Sequence, residues 1–287
     1  MPNYRKKLIV KPESKIRLKH FDPGYHGNHE SRKSALPEIQ TNLGKMDQLQ
    51  YRMYAENKHS LLIVLQGLDA AGKDGVVRHV LTGLNPEGCV CSNFKEPTKE
   101  ELAHDFLWRV HPHVPAKGTV AIFNRSHYED VLIVRVHQLV PKKVWAKRYD
   151  EINDFERLIV IENNTTILKF FLYISKEEQL DRFKRRLDDP DRQWKISDSD
   201  YKEREYWDDY VEAFEDVLNK TSTGHAPWFI IPSDHKWFRD LAISQIIVRQ
   251  MEDLDMQLPK PTVNIGEIRR EYHQAARGEK SDRRKKR

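Results

Sequence analysis

The sequence predicts an α/β fold: a parallel sheet of about five strands with helices on both faces and a helical lid. Three observations support this prediction. Short apolar runs alternate with amphipathic segments from residue 60 onward, the first run at 61–65 is apolar throughout, and a glycine-rich turn follows it directly. An uninterrupted apolar run is typical of a strand covered on both faces. Strands separated by helices imply right-handed crossovers, so we expect ligands at the carboxyl ends of the strands.

Further apolar runs predict the other strands, and helical spacing or capping residues predict the helices between them. The predicted strands are 61–65, 89–94, 119–123, 167–174 and 228–231. The predicted helices are 37–57, a segment carrying Val76 to Leu84, 98–111, a segment after Ser126, 143–161, a segment after Ser175, 207–218 and 236–254.

Length and composition favour one main domain with extensions. A chain of 287 residues with 38% hydrophobic content can bury one sizeable core. We predict an N-terminal arm and helix packed on the core at 1–57 and the main domain at 58–258, with the lid at about 178–200. Residues 259–287 are predicted to form a basic tail, and its end at 283–287 is predicted to be disordered.

Charge and hydropathy indicate which kinds of partner and which cellular location to expect. The chain has 49 Lys and Arg against 44 Asp and Glu, a formal net charge of +5, which favours anionic partners. No apolar run approaches the roughly 20 residues that cross a bilayer. The charged first 15 residues do not resemble a signal peptide. These features predict a cytoplasmic protein without a membrane partner.

Two cysteines and two histidines are interpreted as lying outside any metal or redox site. Cys89 and Cys91 alternate on a predicted strand, so their side chains face the same way and do not pair easily. We expect buried reduced thiols. His111 and His113 are two residues apart, which does not bring them together on a helix, and we expect both to be exposed.

The strongest motif is the segment 67–75, Gly-Leu-Asp-Ala-Ala-Gly-Lys-Asp-Gly, which fits a Walker A loop between a strand and a helix. The backbone amides of such a loop form an anion cradle, and Lys73 would place a charge on a transferred phosphoryl group. The motif predicts a P-loop kinase-like fold; a plain glycine turn is the alternative. The predicted phosphate-binding residues are Gly67, Ala70, Ala71, Gly72, Lys73, Asp74 and Gly75.

One position departs from the usual loop. Asp74 stands where Ser or Thr normally holds Mg²⁺, so a metal would be held differently. Asp69 is the candidate, because a carboxylate beside phosphates can bind Mg²⁺ or accept a proton. The alternative is that Asp69 only shapes its own turn.

A second candidate site follows the third predicted strand at 124–130. Arg125 can bridge phosphate oxygens with its planar fork, and the alternative is a structural ion pair with Glu129 or Asp130. Asn124 is interpreted as a substrate contact. Glu129 and Asp130 would complete a metal shell through water, although acidic residues are also favoured in a first helical turn.

A basic helix and a polar loop follow the fourth predicted strand. Leu180, Phe183 and Leu187 form one apolar stripe, so the basic residues project from the other side. Nucleotide kinases place a mobile lid here, and a solvated basic face is the alternative. The predicted lid cations are Arg182, Lys184, Arg185, Arg186 and Lys195.

Three remaining features concern association. The apolar stripe at 207–218 is interpreted as core or subunit contact and not as a platform for bases. The basic cluster at 283–287 lacks interleaved aromatic residues, so no specific nucleic-acid partner is expected. The apolar surface of the last predicted helix, from Trp237 to Val248, suggests a homo-oligomer, although a buried helix has the same pattern.

Together these motifs resemble the polyphosphate kinase 2 family. The resemblance runs from about Arg17 to Leu258 and rests on the 67–75 loop, the Glu-Pro-Thr-Lys-Glu-Glu segment at 96–101, the 124–130 segment and the basic lid. It accounts for Asp74, because the loop of that family ends in Lys-Asp-Gly. Asn124 and the following Ser-His-Tyr-Glu-Asp look most like the family's class III, which phosphorylates nucleoside monophosphates and diphosphates.

The resemblance implies reversible, in-line phosphoryl transfer from inorganic polyphosphate to ADP, GDP and AMP. Asp69, Lys73 and Arg125 would be catalytic, and Asn124, Glu129 and Asp130 would contact nucleotide or acceptor. The implied cofactor is Mg²⁺ held by Asp69, with Mn²⁺ as a substitute. Two alternatives remain open at the level of sequence: an ATP-dependent nucleoside monophosphate kinase, and an anion-binding module without catalysis.

Overall fold

The computed structural model describes the backbone of residues 2–285 and, within that range, all side chains except those of 198–199 and 278–285. The chain divides into two units, Met1–Met256 and Gln257–Arg287. The boundaries predicted at residues 57 and 258 stay predictions.

The first unit is built on a parallel sheet in the order β2-β3-β1-β4-β5. Each predicted strand is present, because short apolar runs between turn residues are strong strand signals. The strands are β1 (Ser60–Gln66), β2 (Cys89–Asn93), β3 (Val120–Asn124), β4 (Thr165–Tyr173) and β5 (Trp228–Pro232).

Helices cover both faces of this sheet, as predicted. Those of the first unit are α1 (Tyr4–Leu8), α2 (Arg32–Glu56), α3 (Lys73–His79), α4 (Ile133–Val136), α5 (Lys142–Trp145), α6 (Arg148–Asn163), α7 (Lys176–Leu187), α8 (Asp198–Glu203), α9 (Trp207–Thr221) and α10 (Lys236–Glu252). A capping box between Ser31 and Ser34 starts α2 five residues before the predicted helix, and Asn57 ends it in the left-handed conformation.

The predicted helix at 98–111 is wrong. Its capping box forms, since Thr98 N donates to Glu101 Oε2 at 2.6 Å and Glu101 N donates to Thr98 Oγ1 at 3.2 Å. Only the 3₁₀ turns Glu101–Ala103 and His111–His113 follow. Asp105 Oδ1 accepts from Leu107 N at 3.0 Å, and such a local side-chain bond competes with helix continuation.

Two other predicted helices are broken into shorter ones. The segment after Ser126 starts as a 3₁₀ turn, His127–Val131, before α4 begins. The predicted helix at 143–161 is divided into α5 and α6.

An apolar core lies on each face of the sheet, and β1 contributes to both. Leu61, Ile63 and Leu65 face α2, α3 and α10, while Leu62 and Val64 face α6 and α9. The apolar residues of α10 from Leu241 to Val248 are buried inside this chain. The apolar surface that suggested a homo-oligomer is therefore part of the core of this chain. The oligomeric state stays a prediction. The stripe on α9 is core, as predicted, with Phe214 and Leu218 buried.

The thiols are only partly as predicted. Both cysteines are free, but Cys89 is half-buried and Cys91 is exposed, because β2 is an edge strand. Burial raises the pKa of the Cys89 thiol to about 11, which keeps it protonated at neutral pH.

The second unit consists mainly of α11 (Ile265–Lys285), which lies in the predicted basic tail. The helix includes residues 283–285, where the sequence predicted disorder. Residues 257–275 are exposed, and residues 286–287 of the predicted tail lie outside the described residues. Among the described residues, no helix combines the length and apolar character required to span a bilayer.

Candidate active site

The carboxyl ends of the strands open into a cavity of about 1870 Å³, where the fold predicts ligands. Its walls come from the loop after β1, the end of β3, the α7–α8 region and the start of α10. Leu65 of β1 pairs with Asn124 of β3, so the two predicted motifs meet at this edge.

The loop after β1 has a backbone that glycine makes possible. Gly72 has a φ of +108°, and Ala70 has a φ of +59°. A Cβ on Gly67 would lie 2.8 Å from the backbone oxygen of Leu172 on β4, so the loop passes closely over the sheet. The hydrogen bonds of α3 begin with Val76 N donating to Gly72 O at 3.1 Å. The earlier amides of the loop lack an acceptor within the helix. Apart from that of Ala71, which donates to Leu68 O at 3.1 Å, they are available to an anion.

Lys73 is folded back into this loop. Its Nζ donates to Gly67 O at 2.5 Å and to Leu68 O at 3.4 Å. Burial lowers the pKa of the Lys73 ammonium, and the neighbouring cation of Arg125 lowers it further. Asp69 acts in the opposite direction.

Arg125 and Asp69 meet at the end of β3. Arg125 Nη2 lies 3.2 Å from Asp69 Oδ1, and Arg125 Nη1 lies 3.9 Å from Glu129 Oε2. Arg125 has a φ of +61°, a strained conformation for a residue with a side chain, and such strain is often found at functional sites. Arg125 thus contacts two carboxylates. The longer contact is the predicted ion pair with Glu129. The shorter contact joins Arg125 to Asp69, and both of these are predicted catalytic residues.

Asn124 and Asp130 point to different partners. Asn124 Nδ2 donates to Asp74 Oδ1 at 2.9 Å, which ties β3 to the start of α3. Asp130 pairs with Arg148 at 2.9 Å rather than with Arg125. Burial raises the pKa of the Asp130 carboxyl to about 6, although Arg148 and Arg109 lower it.

A buried polar network underlies the segment that carries Arg125. Lys169 Nζ on β4 lies 2.6 Å from Glu156 Oε2 on α6 and 2.8 Å from the Tyr128 hydroxyl. Tyr128 in turn donates to Glu156 Oε1 at 2.8 Å, and His127 Nε2 lies 3.3 Å from the same oxygen. The network fixes the two residues that follow Ser126 and therefore the exit of the chain from β3.

The predicted lid cations do not share one environment. Arg182 is buried, and its guanidinium donates to the backbone oxygens of Ala70, Ala71, Ser233 and Asp234 and to Glu178. All five of its N–H groups therefore have protein acceptors. This geometry favours a structural role for Arg182, which holds the phosphate loop against the end of β5.

The other lid cations are mostly neutralised by nearby carboxylates. Arg185 pairs with Glu178 and Asp181 at 2.9 Å, and Arg186 approaches Asp200 at 3.5 Å. Lys184 pairs with Asp188 at 2.6 Å and does not line the cavity. Lys195 lines the cavity and lies over the Trp194 ring.

Sequence reasoning missed Arg239 and Asp240 at the start of α10. Arg239 is 1% exposed, and its Nε and Nη2 donate to Asp240 Oδ1 at 2.9 and 2.7 Å. A Cβ on Gly72 would lie 1.9 Å from Arg239 Nη1, so the guanidinium packs directly on the phosphate loop. Two adjacent charges within an otherwise apolar helix were the available signal, since charges are rarely buried unless they are paired.

The described residues contain no cluster of three or more His, Cys, Asp or Glu side chains that could hold a metal ion. They therefore do not support a metal that is bound by protein side chains alone. Mg²⁺ does not need such a cluster, because it commonly takes one or two carboxylates together with substrate phosphates. Asp69, beside the phosphate loop, fits that arrangement.

The strand order and the phosphate loop after β1 place the chain among P-loop proteins of the kinase type. Within this class, the chain belongs to the polyphosphate kinase 2 family, whose model matches residues 28–259. The family inferred from the motifs is thereby confirmed, and its class III stays a prediction.

Relatives and solved structures agree with this assignment. The chain is 49% identical over 257 residues to an AMP/ADP-polyphosphate phosphotransferase of Meiothermus ruber, covering 89% of this chain and 96% of the relative. It is 45% identical over 253 residues to an ADP-polyphosphate phosphotransferase of Rhodopseudomonas palustris, covering 84% and 86%. The crystal structure of polyphosphate kinase 2 from Arthrobacter aurescens is similar with a TM-score of 0.89 and 38% identity, covering 92% of this chain and 95% of that one.

Proposed function

We propose that the protein transfers phosphoryl groups from inorganic polyphosphate to purine nucleoside diphosphates and monophosphates, reversibly and with Mg²⁺. Family membership supports the donor. The name of the Meiothermus relative, with AMP and ADP in one activity, supports both kinds of acceptor. The likeness to class III in the 124–130 segment favours the same choice.

The observation that carries the proposal is the meeting of Lys73, Asp69 and Arg125 in one large cavity. Its volume of about 1870 Å³ exceeds the roughly 300–1,000 Å³ of an ordinary small-molecule site. A cavity of this size can hold a nucleotide and a polyphosphate end together. Cations on two sides of the transfer point are what two polyanionic substrates require.

Transfer proceeds in line and without a phosphoenzyme. An oxygen of the terminal phosphate of the nucleotide attacks the terminal phosphorus of polyphosphate, and a new P–O bond forms. The bridging P–O bond to the rest of the polyphosphate breaks, so polyphosphate leaves one unit shorter. Lys73 and Arg125 donate to the oxygens of the transferring group, where charge is spread. Asp69 orients the acceptor and keeps Arg125 in place through their ion pair.

Mg²⁺ would neutralise charge on the substrate phosphates when it is bound. Asp69 would be its protein ligand, and Glu129, 3.9 Å from Arg125, would approach through water. Asp74 Oδ1 accepts from Asn124, so this carboxylate ties α3 to β3.

An assay with ADP, long-chain polyphosphate and Mg²⁺, but without ATP, tests the proposal. The unaltered protein should form ATP. A Lys73→Met variant should form ATP about 10²-fold more slowly, because the transferring phosphoryl group loses the positive charge of Lys73. Absence of ATP formation by the unaltered protein would exclude the proposal. Phosphorylation of AMP by ATP alone would then favour an ATP-dependent monophosphate kinase. Salt-dependent phosphate binding without turnover would favour a module without catalysis.

A further inference from the structure

The two edges of the sheet differ in how they are covered. The strand order places β2 at one edge and β5 at the other. The N-terminal segment covers β5, because Val10 N donates to Trp228 O at 2.8 Å and the preceding residue forms an antiparallel bridge to this strand. An edge that is paired in this way offers no template to another strand.

The outer edge of β2 has no such cover. The amide of Cys89 donates to Pro86 O, and the described residues form no other backbone hydrogen bond with this strand outside its ladder with β3. In a parallel ladder, alternate residues direct their N–H and C=O groups away from the neighbouring strand. The outward groups of β2 are therefore open to another strand.

The sequence of β2 does not protect this edge either. Natural edge strands are commonly protected by lysine, proline or a bulge. The strand reads Cys-Val-Cys-Ser-Asn, and its register with β3 runs without interruption from Cys89 to Asn93. None of the three devices is present within these residues.

Exposed apolar side chains lie beside the same edge. Val90 is 59% exposed, and Tyr54 on α2 is 54% exposed. A Cβ on Gly88 would lie 3.7 Å from Tyr54 Cδ2, so this ring stands next to the start of β2. Apolar side chains beside an unprotected strand edge indicate a contact with another chain.

We propose that β2 pairs antiparallel with β2 of a second copy of this chain, across a two-fold axis at Cys91. The two sheets then form one continuous sheet. Complete overlap of the five-residue strand requires this register, because Cys91 is its central residue. Each residue then lies opposite the one at the same distance on the other side of Cys91, as two-fold symmetry demands.

Charge complementarity supports a second copy as the occupant. Glu87 and Lys95 each lie four residues from Cys91, on opposite sides, and both are exposed. In the proposed register, Glu87 of each copy faces Lys95 of the other, so the interface contains this pair twice. Opposite charges that face each other across two strands stabilise the pairing. Lys95 also lines the cavity, so the pairing brings Glu87 of the second copy next to the wall of the candidate active site.

Oxidative cross-linking tests the register. Directly opposite Cβ atoms of an antiparallel pair lie about 4.5–5.5 Å apart, near the roughly 3.5–4.5 Å of a disulfide. In the Cys89→Ser variant, Cys91 is the one remaining cysteine, and mild oxidation should yield a covalent dimer on a non-reducing gel. Burial raises the pKa of the Cys91 thiol, so the oxidation is run at alkaline pH, where more thiolate is present.

The control for random collision is the Cys89→Ser/Cys91→Ser/Lys117→Cys variant. Its one thiol replaces an exposed side chain outside β2 and should leave the protein monomeric on the same gel. Equal cross-linking of the two variants, or none in the Cys89→Ser variant, would overturn the proposal.

A charge exchange tests the same interface without cysteine chemistry. Glu87→Lys places two cations opposite each other at both symmetric positions, and sedimentation equilibrium should show the Kd of the dimer rising about 10-fold. Adding Lys95→Glu restores opposite charges and should return the Kd to within about twofold. Glu162→Lys is the matched control, because it changes the net charge equally at an exposed residue of α6.

An unaltered protein that stays monomeric at its highest soluble concentration would overturn the proposal. An unchanged Kd in the Glu87→Lys variant, or an equal change in the Glu162→Lys control, would also overturn it. These outcomes are independent of whether the protein forms ATP, so the pairing and the proposed function can fail separately.

Discussion

At the scale of single residues, Arg125 has a strained backbone conformation and a side chain beside the phosphate loop. Its φ of +61° and its 3.2 Å contact with Asp69 place its planar guanidinium beside the phosphate loop. A lysine would keep the charge but not the fork that can bridge two oxygens.

We therefore expect Arg125→Lys to lower kcat about 10²-fold, the usual effect of removing one donor to a developing charge. Initial rates of ATP formation from ADP and polyphosphate measure this. Arg157→Lys is the control, because Arg157 is exposed and pairs with Asp154 on the same helix. Equal rates for Arg125→Lys and the unaltered protein would contradict the role given to Arg125.

The Asp130 carboxyl provides a prediction on pH. Its pKa is about 6 in the folded protein, because burial disfavours the anion, and about 3.9 in an unfolded chain. Between these values the folded state binds more protons than the unfolded state, so this carboxyl contributes less stability as pH rises.

The difference in unfolding free energy between the unaltered protein and Asp130→Asn should therefore fall by about 1–3 kcal/mol from pH 4.5 to pH 7. Urea titrations at several pH values measure it. A difference that stays constant or grows with pH would show that the carboxyl is not shifted upward.

At the scale of elements, one side chain joins α7, the phosphate loop and the end of β5. Arg182 donates to four backbone oxygens and to Glu178, so its removal leaves several buried acceptors unpaired. Arg182→Gln should lower the unfolding free energy by about 2–4 kcal/mol. Lys184→Gln, two residues away and exposed, should stay within about 0.5 kcal/mol. Denaturant unfolding of both variants measures the two free energies. Equal stabilities would refute the structural role of Arg182.

The α6–β4 pair gives a second prediction at this scale. Lys169→Met leaves Glu156 as a buried charge without its cation and should cost about 3–5 kcal/mol. Adding Glu156→Gln removes that charge, while the amide oxygen can still accept from Tyr128. The double variant should therefore be more stable than the sum of the single changes implies, with a coupling of about 1–3 kcal/mol. Additive losses in thermal unfolding would indicate that the two groups do not interact.

At the scale of the whole molecule, the first unit contains both apolar cores and each predicted site residue. Residues 257–275 of the second unit are exposed. Deletion of 261–287 should therefore change the unfolding free energy by less than about 0.5 kcal/mol and leave ATP formation within about twofold. Calorimetry and the ADP assay measure these quantities, and a large loss of either would assign the second unit a structural or functional role.

The sequence by itself determined the strands, their parallel arrangement and the phosphate loop. These follow from local patterns: a buried run such as 61–65, helical spacing, and a loop whose glycines permit the backbone of Gly72. It also placed Asp69 and Arg125 at neighbouring strand ends, because parallel strands bring their carboxyl ends to one edge. Local signals failed at 98–111, where the capping box formed but Asp105 started a separate turn.

Only the tertiary structure decided which cations are available to a polyanion. Arg182 and Arg186 look equivalent on α7, yet Arg182 is buried under the phosphate loop by carbonyls from 233–234, more than 50 residues away along the chain. Arg239 reaches the loop from the last helix of the first unit, and Asp130 meets Arg148 rather than Arg125. The physical reason is that neutralisation of a charge depends on the groups within a few ångströms of it, and folding brings those groups from distant parts of the sequence.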